Sequence, residues 1–128
     1  MKIYVAGKFE EIELIRSIYR QLEGLGHEIS YDWTTHEKVK PYEENVERAK
    51  GYAENEIKAI LDSDAFIYLT HERGTTLHME FGAALAKAER GENIMIFAVG
   101  EHNNRSPWYF NQHVTRVAQI QEVMAQIA

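Results

Sequence analysis

The chain has 128 residues, 45% hydrophobic and 27% charged, with a formal net charge of −6 and no cysteine. That length suits one domain with one core, and the composition excludes disordered and fibrous classes. The missing cysteine excludes a disulfide frame and thiolate chemistry, and the acidic balance argues against a nucleic-acid polymer, which calls for a basic stripe. A small ligand stays open, because a local pocket can be cationic inside an acidic protein. No apolar run approaches the ~20 residues of a membrane span, so no membrane partner is expected. The opening MKIYVAGKFEE passes straight into a strand-like run without the apolar core of a signal peptide, and a cytoplasmic location is expected.

Met1–Gly7 reads as a buried strand, since Ile3, Tyr4 and Val5 form an unbroken β-favouring run. Over Glu10–Leu25 the residues Ile12, Ile15, Ile18, Tyr19, Leu22 and Leu25 recur at helical spacing, and Gly24 and Gly26 end the helix. Ile29–Trp33 reads as a short strand and Thr34–Tyr42 as a loop. Glu43–Ser63 carries Val46, Ala49, Ala53, Ile57, Ile60 and Leu61 at helical spacing, predicting a second helix with that stripe inward. Ala65–Thr70 (AFIYLT) is a buried strand. Thr76–Arg90 is a helix with Leu77, Phe81, Ala84, Leu85 and Ala88 toward the core and Gly91 as its stop. Ile94–Val99 is a further strand, Gly100–Gln112 a long polar loop, Val114–Val117 a short fifth strand and Gln119–Ile127 a closing helix.

Strands alternating with helices, and strands apolar throughout, call for a parallel sheet covered on both faces. The expected fold is therefore α/β: a single doubly wound, flavodoxin-like domain over residues 1–128 with a four- to five-stranded parallel sheet. Ligands in such folds sit beyond the carboxyl ends of the strands, where the strand order reverses. That nominates Gly7–Glu10, Trp33–His36, His71–Thr76 and Gly100–Gln112.

Glu80 lies one turn into its helix, between Leu77 and Ala84 on the margin of the apolar stripe. An acid there can simply complement the helix dipole. The flanking MEFGAALA is almost wholly apolar, however, and a half-buried carboxylate beside a nominated loop can act as nucleophile or general base. Glu56 sits likewise between Ala53 and Ile60, with a solvated acid paired to Lys58 or Arg48 as the plainer reading. Two margin carboxylates on helices flanking one strand can divide nucleophile and proton-donor roles, as glycoside-cleaving sites do. Tyr4 is either a core tyrosine satisfied at the rim or a donor to a carboxylate across the switch point. Asp32 and Trp33 offer an acceptor beside a flat aromatic face at the end of the second strand. His78 and Glu80 lack zinc-site spacing, Gly7-Lys8 is too short for a phosphate fingerprint, and Thr70 stands where a phospho-accepting domain needs Asp. No metal and no cofactor are expected.

Together these segments resemble the nucleoside 2-deoxyribosyltransferase-like family, including its deoxynucleoside 5′-monophosphate N-glycosidase branch. IYVAGKF is similar to the family's opening strand. NEIKAILDSDAFIYL is similar to its helix-into-strand segment, with Glu56 eight residues before Asp64, and GTTLHMEFGAALA to its Glu-bearing signature, twenty-four residues from Glu56 to Glu80. The resemblance covers nearly the whole chain. It implies that Glu80 attacks the anomeric carbon of a nucleoside or nucleotide to give a covalent glycosyl-enzyme, that Tyr4 orients it, and that Glu56 protonates the departing base. It also implies a homodimer or larger homo-oligomer with shared sites, the loop Ser106–Gln112 supplying Ser106 and Asn111 to a neighbour. Gly7, Lys8, Asp32, Trp33, Gly74, Thr75 and Thr76 are the expected substrate-binding positions.

The chain departs from the family at three places. Glu56 is one methylene longer than the usual Asp. Gly74, then Thr75 and Thr76, stand where the transferases carry an acid, which brings the chain nearer the hydrolase branch, whose hydroxyl binds phosphate there. Glu10 replaces an Arg used for phosphate, leaving Lys8 or Arg73 as cations. Two other readings are a non-catalytic nucleotide-binding or sensing module, and cleavage of a larger dinucleotide.

Overall fold

The computed structural model describes residues 1–128. Five strands, β1 (Lys2–Ala6), β2 (Glu28–Ile29), β3 (Ala65–Leu69), β4 (Met95–Val99) and β5 (Val114–Val117), form one sheet in the order β2-β1-β3-β4-β5. Every neighbouring pair is parallel, so the flavodoxin-like, doubly wound sheet holds with its fifth strand. β3 is buried along its whole length, as a central strand covered on both faces must be.

Four helices cover the sheet: α1 (Ile12–Gly24), α2 (Val46–Leu61), α3 (Thr76–Glu89) and α4 (Ile120–Ile127). Right-handed crossovers place α1 on one face and α2 with α3 on the other, where these two pack together. The chain steps from β1 outward to β2 and then back across to β3, so the order reverses between β1 and β3. Their carboxyl ends lie side by side, with Ala6 in register with Tyr68. Side chains alternate along a strand; Tyr4 and Tyr68 therefore share the α3 face, and each bonds a residue of α3. No helix is long and apolar enough to cross a membrane.

Three boundaries differ from expectation. The second strand is only Glu28–Ile29, and the expected strand end at Asp32 and Trp33 is instead a 3-10 turn, Trp33–Thr35. Local bonds win there: Asp32 accepts from the Thr34 N–H at 2.9 Å, and the Trp33 indole donates to the Val5 carbonyl at 2.7 Å. The second helix starts at Val46 rather than Glu43, because Tyr42–Glu44 forms a 3-10 turn of its own. Within the loop expected over Gly100–Gln112, Ser106 caps a further 3-10 turn, Pro107–Phe110.

The stripe expected to face inward on α2 is also rotated. Val46, Ala53, Ile57 and Leu61 are exposed, while Tyr52, Glu56, Ala59 and Ile60 turn toward the protein. Glu56 therefore lies on the inner face of α2 rather than at its edge.

Candidate functional site

The start of α3 is set by Gly74, whose φ of +135° is reached by few other residues. A Cβ at that position would also stand 2.7 Å from Leu77 Cδ2, so the turn closes tightly onto the first apolar anchor of the helix. Leu77, Phe81, Ala84, Leu85 and Ala88 then bury as their spacing predicts. With that face fixed, Glu80 is directed to the carboxyl end of β1.

There the Tyr4 hydroxyl donates to Glu80 Oε2. Tyr4 itself is fully buried and stacks on Phe66 at a centroid distance of 5.7 Å, with the rings 5° from parallel, which fixes the hydroxyl's direction. Burial raises the pKa of Glu80 to about 8; the Tyr4 hydrogen bond pulls it down, and the charge of Glu56 pushes it up. Burial likewise raises Glu56 to about 7. Both carboxyls therefore stay partly protonated near neutral pH, each chiefly because it is taken out of water. Tyr4 is held above its ordinary pKa by burial and by the Glu80 and Glu56 charges, so it stays a donor.

Glu56 has a neighbour that the motifs did not indicate. His36 Nδ1 lies 3.7 Å from Glu56 Oε1, and both side chains are largely covered, at 13% and 18% exposure. The His36 ring stacks on Tyr52 at 3.7 Å between centroids, and its Nε2 is 2.5 Å from the Tyr31 hydroxyl. Burial lowers the pKa of His36, so it is a neutral partner and leaves Glu56 its proton. Two signals carried this contact: His36 falls in a segment nominated by the switch-point rule, and Tyr52 stands one helical turn before Glu56. Tyr19 of α1 brings a phenol that its helical spacing marks only as core. Its hydroxyl is buried without a partner, and the charges of Asp32 and Glu80 raise its pKa further after burial.

The expected binding positions divide into groups. Gly7 is packed rather than open, since a Cβ there would meet Ile15 Cδ1 at 2.9 Å. Lys8 lies beside it and pairs with Glu10 at 3.7 Å. Thr75 and Thr76 are exposed at the start of α3. Asp32 spends one oxygen on the Thr34 amide and hydroxyl. Trp33 is buried at 7% exposure, and the exposed aromatic beside it is Phe9, at 45%, with ring centroids 6.4 Å apart. Ser106 accepts from the Trp108 N–H. Asn111 donates to Glu89 at 2.9 Å and accepts from the His113 N–H at 2.8 Å. Those bonds hold Asn111 at the far end of α3 from Glu80, so within one chain it is not brought to the paired carboxylates.

No protein-family model and no curated protein matches the chain. In fold it is similar to the CMP N-glycosidase of Clostridium botulinum, with a TM-score of 0.63 over 99% of this chain and 97% of that one, at 18% sequence identity.

Proposed function

We propose that this chain cleaves or transfers at the N-glycosidic bond of a nucleoside, deoxynucleoside or nucleotide, as a member of the nucleoside 2-deoxyribosyltransferase-like family. The observation that carries the reading is the Tyr4 hydroxyl bonded to a half-buried Glu80, whose pKa is raised by burial and, less, by the charge of Glu56. The fold shared with a CMP N-glycosidase supports it.

In the first step Glu80 attacks the anomeric carbon as the carbon–nitrogen bond breaks, and the bond's electron pair leaves with the base. The base nitrogen takes the proton held by Glu56. Glu80 reacts as the carboxylate, the form that the Tyr4 hydrogen bond favours against burial, and Glu56 reacts as the acid. In the second step a water, or a second base, displaces Glu80 from the anomeric carbon and its proton returns to Glu56. Lys8, Asp32, Thr75 and Thr76 surround the carboxyl ends of β1 to β3 as substrate contacts. A second copy of the chain supplies Ser106 or Asn111, because within one chain Asn111 is bonded at the far end of α3.

The test is to incubate the protein with deoxynucleosides and their 5′-monophosphates, with and without an added base, and to follow released or exchanged base by chromatography. Release of free base without an acceptor marks a hydrolase, and exchange a transferase. Glu80→Gln is expected to lose activity by about 100-fold or more. Turnover of Glu80→Gln at the wild-type rate would sink the assignment.

A further inference from the structure

Glu56 ends a chain of polar groups that begins between β2 and α2. Tyr31 and His36 flank the Trp33–Thr35 turn, and Tyr52 stands one turn before Glu56 on α2. The His36 ring lies flat on the Tyr52 ring, 3.7 Å between centroids and 5° from parallel, and edge-on to Tyr31 at 5.3 Å. Tyr52 is fixed in turn, its hydroxyl accepting from the Glu37 N–H at 3.1 Å. His36 is therefore held in one plane, with Nε2 2.5 Å from the Tyr31 hydroxyl and Nδ1 turned to Glu56 Oε1 at 3.7 Å.

The proton positions follow from these contacts. Burial raises the pKa of Tyr31, and Asn55, a donor toward its oxygen, lowers it; the phenol keeps its proton near neutral pH. His36 Nε2 is the acceptor within hydrogen-bond distance of that proton. Burial lowers the pKa of His36 against the charge of Asp32, so the ring is neutral and carries a single N–H. With Nε2 accepting, that N–H is on Nδ1, the atom that faces Glu56. At 3.7 Å the contact is too long for a hydrogen bond while Glu56 holds its own proton. Once that proton is given up, Glu56 is a largely covered anion. Its charge reaches Tyr4 and Tyr31, but the Tyr4 proton is committed to Glu80 and the Tyr31 proton to His36. The donor left for the anion is His36 Nδ1–H.

We propose that His36 is a positioning residue, its tautomer fixed by Tyr31, that donates Nδ1–H to the Glu56 carboxylate formed as the base departs. His36 keeps its proton throughout; the proton transferred is that of Glu56, which passes to the base nitrogen. The role rests on the glycosidic reading of Glu80 and Glu56, so two measurements separate them. His36→Phe keeps a ring for the Tyr52 stack without the donor, and His36→Asn keeps an N–H near the place of Nδ1. The first measurement follows the Glu56 carboxyl carbon by NMR in the isotopically labelled full chain. His36→Phe is expected to raise its titration midpoint by about one unit, with His36→Asn within about 0.3 unit of wild type. The second compares kcat on a deoxynucleoside with kcat on the nitrophenyl glycoside of the same sugar, whose leaving group needs no proton. His36→Phe should lose about tenfold on the deoxynucleoside and under about twofold on the nitrophenyl glycoside. A Glu56 midpoint unmoved in His36→Phe overturns the proposal, as does an equal loss on both substrates, the mark of a purely structural role. Wild-type protein that cleaves neither substrate overturns the glycosidic reading instead, and the Glu56 titration then still decides the bond from His36.

Discussion

Two carboxylic acids, Glu56 and Glu80, are held at about 7 and 8 by burial, at a cost to the stability of the fold when they ionise. The sign of the resulting pH dependence follows from the direction of the shifts. The folded chain binds these protons more tightly than the unfolded chain, whose carboxyls titrate near 4.5. Stability present below that value is therefore lost as pH rises through about 8. Glu80→Gln cannot ionise, so its advantage over wild type should grow between pH 5 and pH 8.5, reaching about 5 °C or more in Tm by calorimetry. A gap that is flat with pH would mean that Glu80 is not buried as an acid. Tyr4→Phe removes the one bond that favours the Glu80 anion. The acid limb of its rate profile should move toward alkaline pH by about one unit, with kcat lowered about 10- to 100-fold. An unmoved limb would separate Tyr4 from the ionisation of Glu80.

At the scale of elements, α2 and α3 do the positioning. α2 is anchored by Ile60, which is fully buried, and not by Ile57, which is 52% exposed. Ile60→Ala should cost about 2–4 kcal/mol by denaturant unfolding, and Ile57→Ala under about 1 kcal/mol. The reverse order would restore the inward stripe read from spacing. Periodicity alone misled there because α2 carries apolar residues on more than one face, and a spacing pattern says which residues align, not which aligned set meets the sheet. For α3, Gly74→Ala combines a strained φ with a Cβ against Leu77. A loss of about 1–3 kcal/mol is expected, with activity falling further than stability alone accounts for, because Glu80 follows one turn into the helix that Gly74 starts. Enzyme assays on folded Gly74→Ala protein read the second effect directly.

For the molecule as a whole, the architecture was legible because continuous apolar strands admit few arrangements. AFIYL and IMIFAV have no polar face to give to water, and both pair in parallel inside the sheet. The topology nominates the carboxyl ends of the strands, and there Tyr4 bonds Glu80 within range of the Glu56 charge. What escaped was set by single side-chain bonds: the Trp33 indole bond that cuts β2 short, and the Tyr52 stack that carries His36 to Glu56. Neither leaves a period in the sequence. Sedimentation should show a dimer or larger assembly if a neighbour's loop completes each site; a monomer that is fully active would remove Ser106 and Asn111 from the mechanism.

The central claim is that Glu80 becomes bonded to the sugar. Rapid quenching of the protein during turnover of a deoxynucleoside or its monophosphate, followed by intact and peptide mass analysis, tests it most directly. The account predicts a mass increment equal to the glycosyl group, located on the peptide containing Glu80 and absent from Glu80→Gln. Base release with no increment at any time point, or an increment on a peptide without Glu80, would contradict it.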